Sequence, residues 1–210
     1  ILAYTAVSPA EEASWGSIPV TLNLSTGLFV TPARKGVLKV ARHAYGYVNP
    51  QTIAYPEPGP PSASTTFRIS VPATHHPIPT AASSLLHAFQ TSLFPSLSTR
   101  PFTYTRLCWY ADTPTGDFLI DRHPRYAGLL LATGGSGHGF KFLPVIGEKV
   151  VEVLEGRVGD ELGGRWRWRE REGEREGEDG WGTEDGSRSG ERGVVLESAL
   201  RQGVQERGKL

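Results

Sequence analysis

Residues 129–144, Leu-Leu-Leu-Ala-Thr-Gly-Gly-Ser-Gly-His-Gly-Phe-Lys-Phe-Leu-Pro, gather in one place several residue types that could do chemistry. An apolar run breaks into a turn made of Gly134, Gly135, Ser136, Gly137, His138 and Gly139; Lys141 follows, and the pattern then turns helical. Glycines lack the Cβ atoms that hold a ligand off the backbone, and they accept positive φ. The first N–H groups of a following helix lack intrahelical acceptors and sit at the positive end of its dipole, which suits a phosphate or a delocalised oxyanion. A flat anionic ligand on this turn is one reading, and a strand-to-helix turn that binds nothing is the other. Two familiar nucleotide spacings fail. G-x-G-x-x-G begun at Gly135 puts Phe140 at the last glycine, and a phosphate loop begun at Gly134 puts Phe140 where lysine belongs.

Other reactive residue types are sparse. Cys108 is the only cysteine. A lone cysteine is commonly a small buried hydrophobe, yet an ionised thiol beside a cation such as Arg106 is also a nucleophile. Lys39 and His43 stand four residues apart, so on a strand they share a face and can point at one cleft, although strand lysines usually face water. His75 and His76 lie in a proline-rich stretch without further suitably spaced ligands, so no metal is expected. Asp112, Asp117, Asp121 and His123 are accounted for by turn capping and strand-end hydrogen bonds. No Ser/His/Asp triad or carboxylate pair emerges.

The elements that must position these groups follow from periodicity. Residues 18–24, 27–32 and 36–43 alternate apolar and polar types between turn signals, the pattern of an antiparallel meander with one buried face. Residues 45–80 are rich in Pro, Ser and Thr and read as irregular connection with one strand at 67–71. Leu85, Leu86, Phe89 and Leu93 repeat at helical spacing, which predicts a helix over 81–94 that Pro95 stops. The segment 102–110 reads as a strand with Tyr104, Arg106, Cys108 and Tyr110 on one face. Residues 118–121 and 129–134 predict two more strands, and Phe142, Ile146, Val150 and Val153 make the apolar stripe of a helix that tolerates Pro144 only in its first turn. Residues 165–192 are mostly Gly, Glu and Arg, including the near-repeat 169–178, and read as a charged, disordered or loosely solvated tail, of which Trp166 and Trp168 can still pack back onto the domain.

Length and composition bound the answer. The 210 residues can bury one sizeable core, with room for a second small domain. The 22 basic and 22 acidic residues cancel, so neither nucleic acid nor an anionic membrane is an expected partner. No apolar run approaches the roughly 20 residues that span a bilayer. A single cysteine excludes an intrachain disulfide and fits a reducing compartment. With no methionine and Ile1 in first place, the chain is expected to be part of a longer product.

Residues 107–124, Leu-Cys-Trp-Tyr-Ala-Asp-Thr-Pro-Thr-Gly-Asp-Phe-Leu-Ile-Asp-Arg-His-Pro, followed by the glycine turn, closely resemble the carboxyl-terminal half of the sarcosine oxidase and fructosyl amino acid oxidase (amadoriase) family of FAD-dependent amine oxidases. The similarity runs over about 18–156 and is strongest to fungal members. It implies that Cys108 is bonded covalently to the flavin and that Gly134, Gly135, Ser136, Gly137, His138 and Gly139 lie against the isoalloxazine ring. It implies that Lys141 pairs with the substrate carboxylate, and that Lys39, with His43 after it, stands above the ring, where a fixed cation stabilises the superoxide formed as oxygen takes an electron. It also implies an amino-terminal dinucleotide-binding unit, which this chain does not contain and would need as a partner.

The expectation is therefore an α+β protein. Residues 1–107 form part of an antiparallel substrate domain, 108–156 the returning strand and helix of a Rossmann-like FAD domain, and 157–210 the tail. The implied reaction oxidises the C–N bond of a secondary amino acid, N-methyl, N-fructosyl or cyclic, with oxygen as acceptor, giving an imine and hydrogen peroxide. The competing readings are a non-catalytic remnant or interaction module of the same fold, and a relative using another electron acceptor, against which Lys39 argues. The closing Gly208-Lys209-Leu210 resembles a peroxisomal address with glycine in place of serine, so the expected compartment is cytoplasmic or peroxisomal.

Overall fold

The structure is a computed structural model that describes residues 1–55, 65–73, 75–169 and 185–207. The charge-rich near-repeat beyond Arg169 and the closing tripeptide lie outside the described residues. The chain divides into two compact units, Ile1–Cys108 with Arg188–Leu210, and Trp109–Ser187.

In chain order the first unit carries β1 (Leu2–Ala6), α1 (Pro9–Trp15), β2 (Thr21–Leu22), β3 (Leu28–Arg34), β4 (Val37–Arg42), β5 (Pro50–Tyr55), β6 (Thr65–Ser70), α2 (Thr80–Leu93) and β7 (Tyr104–Arg106). The later helix α5 (Leu196–Arg207) belongs to it as well. Five strands form one antiparallel sheet in the order β2-β3-β4-β1-β7, and β5 and β6 pair as a separate hairpin. Alternation sorts the large sheet into two faces. Ala3, Thr5, Leu38, Val40 and Val30 share the buried one, where the Thr5 hydroxyl donates to Gln90 Oε1 of α2 and Leu86 of the same helix is fully enclosed. Each leucine or valine so buried contributes about 1.5–3 kcal/mol by leaving water. The opposite face carries Tyr4, Lys39, Thr31 and Tyr104 in one row and Leu2, Ala41, Phe29 and Arg106 in the next.

The second unit contains β8 (Leu119–Arg122), β9 (Leu130–Thr133), α3 (Leu143–Leu154) and α4 (Asp160–Trp166). β8 and β9 pair antiparallel, with Ile120 opposite Ala132. Phe118, Ile120, Val153 and Trp166 are the buried centre of its core, and Phe142, Ile146 and Val150 pack against them, so the expected stripe of α3 is the face it buries. Pro144 lies in the first turn of α3, where its missing N–H costs nothing.

Mixed helix with an antiparallel sheet is as expected, but several boundaries differ. Only Thr21–Leu22 of the expected strand 18–24 pairs, because the Asn23 side chain accepts from the N–H groups of Ser25 and Thr26 and turns the chain. The strand expected at 67–71 is present as β6, Thr65–Ser70, and it pairs with β5, Pro50–Tyr55, where irregular connection was expected. β7 stops at Arg106, opposite Leu2 at the start of β1, so Cys108 and Tyr110 lie outside the strand on which they were expected. β4 ends at Arg42, which puts His43 just beyond the strand shared with Lys39; there its N–H donates to the Gly27 carbonyl at 2.7 Å. Within 157–210, expected as tail, the described residues form α4 and α5, and burial of Trp166 against Phe118 explains why α4 forms in so charged a sequence.

Candidate active site

The residues with chemical potential fall in both units, and each group is built locally. In the first, β4 presents Lys39 on the sheet face away from α2, between Tyr4 of β1 and Thr31 of β3. Lys39 is half-buried, and its ammonium stands 5.5 Å from the centroid of the Phe29 ring, an aromatic bed that suits a cation. Among the described residues it forms no ion pair with a carboxylate. Tyr104 extends the same face, its ring centroid 5.9 Å from that of Tyr4, and is 54% exposed. Two residues past β7, the Cys108 thiol is exposed, while the preceding Leu107 is buried and anchors the segment. A reactive cysteine needs such access, whereas a structural one would be buried.

His43 is placed differently. Its imidazole Nε2 lies 2.9 Å from Nη1 of Arg188, a residue supplied by the segment after the charged stretch. No sequence pattern pointed to Arg188, one of several arginines in a glycine- and charge-rich stretch, and only the fold brings it to the end of β4.

In the second unit the glycine turn follows β9. Gly134, Ser136 and Gly137 all have positive φ, at 71°, 44° and 71°. Gly134 is required by space as well, since a Cβ there would stand 2.8 Å from Thr113 Cγ2 and 2.9 Å from the Leu119 nitrogen. Ser136 pays a strained conformation as a non-glycine residue in the left-handed region, and its contacts explain why it is kept there. It is buried, its N–H donates to the Ala111 carbonyl, its hydroxyl donates to the Gly134 carbonyl, and that same hydroxyl accepts from the Thr113 N–H at 3.3 Å. The turn is thereby fixed in one shape.

At Gly135 and Gly139 the backbone is open, with nothing within 4 Å of the place a Cβ would occupy. A flat group can approach the chain closely there, which is the fit that a flavin ring demands. His138 is held by an Nδ1 contact of 2.9 Å to the Ser136 carbonyl, and its ring stacks on Phe118 at a centroid distance of 5.2 Å. A cavity of about 420 Å³ borders His138, Phe118 and Phe142, with Lys149, Glu161 and Arg165 among its charged lining. Gly139–Phe142 forms a 3-10 turn, so α3 begins at Leu143, later than the expected helix entrance. Lys141 sits in that turn with its side chain exposed and its ammonium 5.2 Å from the Phe142 ring centroid. Asp121 and His123 spend their side chains on backbone N–H groups, Asp121 on Arg122 and Trp168, His123 on Arg125, in keeping with a structural role.

Residues 2–153 match the profile of the FAD dependent oxidoreductase family, and the chain belongs to that family. Among curated proteins it is similar to the amino acid oxidase imqH of Aspergillus flavus, 35% identical over 158 residues covering 65% of this chain and 33% of that protein. It is also similar to the L-saccharopine oxidase of Schizosaccharomyces pombe, 32% identical over 143 residues covering 64% and 30%. Among solved structures, a thermally stable mutant of fructosyl peptide oxidase superposes with a TM-score of 0.76 at 30% identity, over 94% of this chain and 44% of that one. The fructosamine oxidase Amadoriase II of Aspergillus fumigatus in complex with FSA gives 0.70 at 31%, over 92% and 42%. The chain spans about a third of the length of the curated relatives it matches. No helix among the described residues is long and apolar enough to cross a membrane.

Proposed function

We propose that this chain forms the substrate-domain and flavin-contacting part of an FAD-dependent amine oxidase acting on a secondary amino acid of the N-methyl, N-fructosyl or cyclic type, with oxygen as electron acceptor. The observation that carries this reading is Lys39, a cation without a carboxylate partner among the described residues, on the open face of the sheet. FAD held here would accept a hydride from the carbon beside the amine nitrogen, the nitrogen losing a proton to leave an imine, and its two electrons with two protons would convert oxygen to hydrogen peroxide.

The chain's own residues bind and orient. Cys108 offers an accessible thiol as the covalent anchor. The backbone of 134–139 gives the ring a surface without Cβ atoms, and His138, stacked on Phe118, places an imidazole beside it. Lys141, exposed on its turn, pairs with the substrate carboxylate. The Lys39 ammonium meets the negative charge that develops on oxygen, a preorganised electrostatic contribution that needs no movement during reaction. His43 completes the edge of β4 nearby in sequence.

In the flavin-loaded protein, Lys39→Met is expected to slow reoxidation of reduced flavin by oxygen by about 100-fold or more, the size of effect when one preorganised stabilising group is removed. Anaerobic reduction by an N-methyl or N-fructosyl amino acid should change far less. Stopped-flow absorbance separates the two half-reactions, and unchanged reoxidation would overturn the role of Lys39.

A further inference from the structure

We propose that Arg188 is a positioning residue that fixes His43 as its neutral Nδ1–H tautomer. A guanidinium offers only donors and keeps its proton in proteins, so at 2.9 Å from Arg188 Nη1 the Nε2 atom of His43 presents its lone pair. The ring proton then resides on Nδ1. An imidazolium, with both nitrogens donating, is incompatible with the contact.

The local structure is built to hold this geometry. Arg188 is only 8% exposed, a costly place for a charge unless hydrogen bonds compensate. The segment that carries it is stitched to the chain after β4: Ser189 bridges Ala44 in parallel, the Tyr45 N–H donates to the Ser189 carbonyl at 3.1 Å, and Val48 and Val195 form a second bridge. The Ser189 hydroxyl donates to the Thr26 carbonyl at 2.7 Å and lies 3.2 Å from that of His43. Gly27 makes the approach possible, because a Cβ there would stand 2.0 Å from the His43 carbonyl oxygen and 2.4 Å from Ser189 Oγ. The other cation at this edge, Arg42, is tied by its Nε to the Thr26 carbonyl at 2.9 Å and lies against Gly190. The catalytic meaning of the clamp rests on the oxidase reading above; the tautomer does not.

Long-range proton–nitrogen correlation on the flavin-loaded protein, labelled with 15N-histidine and measured near neutral pH, reads the tautomer directly. His43 should show Nδ1 protonated and Nε2 bare; an Nε2–H or doubly protonated ring in the unaltered protein would overturn the proposal. Arg188→Leu should release the ring toward Nε2–H, and Arg188→Lys, which still donates, should restore Nδ1–H. Persistence of Nδ1–H in Arg188→Leu would also overturn it. For the catalytic link, turnover is compared in Arg188→Leu, His43→Ala and the double variant. The double variant should lose no more than the larger single loss, because both remove one coupled unit. Additive losses would show that Arg188 does not act through His43. Normal turnover in all three, with Nδ1–H intact in the unaltered protein, would remove His43 from the oxidase site while leaving the tautomer assignment standing.

Discussion

At the residue scale, Cys108 pairs an accessible thiol with a buried neighbour. Leu107 beside it is 2% exposed, so the thiol is presented on an anchored segment. If it holds the flavin, colour should stay with the protein after acid precipitation of the flavin-loaded form, and Cys108→Ser should release it to the supernatant. Retention of colour by that variant would sink the assignment. At this scale the sequence marks Cys108, Lys39, His138, Lys141 and the glycines as candidates, by residue type and by the family resemblance of the blocks around them. What could not be read was partnership across long separations. His43 gained Arg188 from 145 residues away, and the Ser136 conformation depends on Ala111 and Thr113, contacts that no local spacing encodes.

At the scale of elements, α1 is held by an ion pair. Glu11 caps the helix with Ser8 in a reciprocal box and also receives Arg100 at 2.7 Å, and these donors hold its carboxyl down to about 2 from 4.5. Because the folded-state value is the lower one, the pair stabilises the fold above about pH 4.5, and the contribution is lost as pH falls through the range down to about 2. Thermal melting should show it: Glu11→Gln should lower Tm near neutral pH, and the gap to the unaltered protein should close in acid. A gap that persists at the acid end would mean the carboxylate charge is not what matters. The signal for α1 was present as Ser8-Pro9-Ala10-Glu11, a capping box with proline in first position, although it opens no long apolar stripe. β3, β4, α2 and α3 were legible because each buries one face and so carries a period. Of the β5–β6 hairpin only β6 was, since β5 carries Pro50 and no clear apolar alternation beside a Pro/Ser/Thr-rich stretch.

At the scale of the whole molecule, α3 is apolar on two sides. Ile146, Val150 and Val153 face the core, but Leu143, Val151 and Leu154 are 62%, 45% and 46% exposed, with Phe140 at 87% just before them. Contiguous exposed apolar surface of this kind favours association. The 210-residue chain by itself should therefore bind a hydrophobic dye, self-associate on a sizing column and take up added FAD poorly, with no peroxide formed. A monodisperse, dye-silent and yellow preparation would contradict this. The two units also have an unequal relation to the chain, because the first is interrupted after Cys108 and resumes at Arg188. During synthesis the ribosome must therefore deliver all of Trp109–Ser187 before Arg188 can reach His43. The clamp at the end of β4 therefore closes late, and a nascent chain stalled anywhere in that interval carries His43 without the guanidinium that fixes its ring.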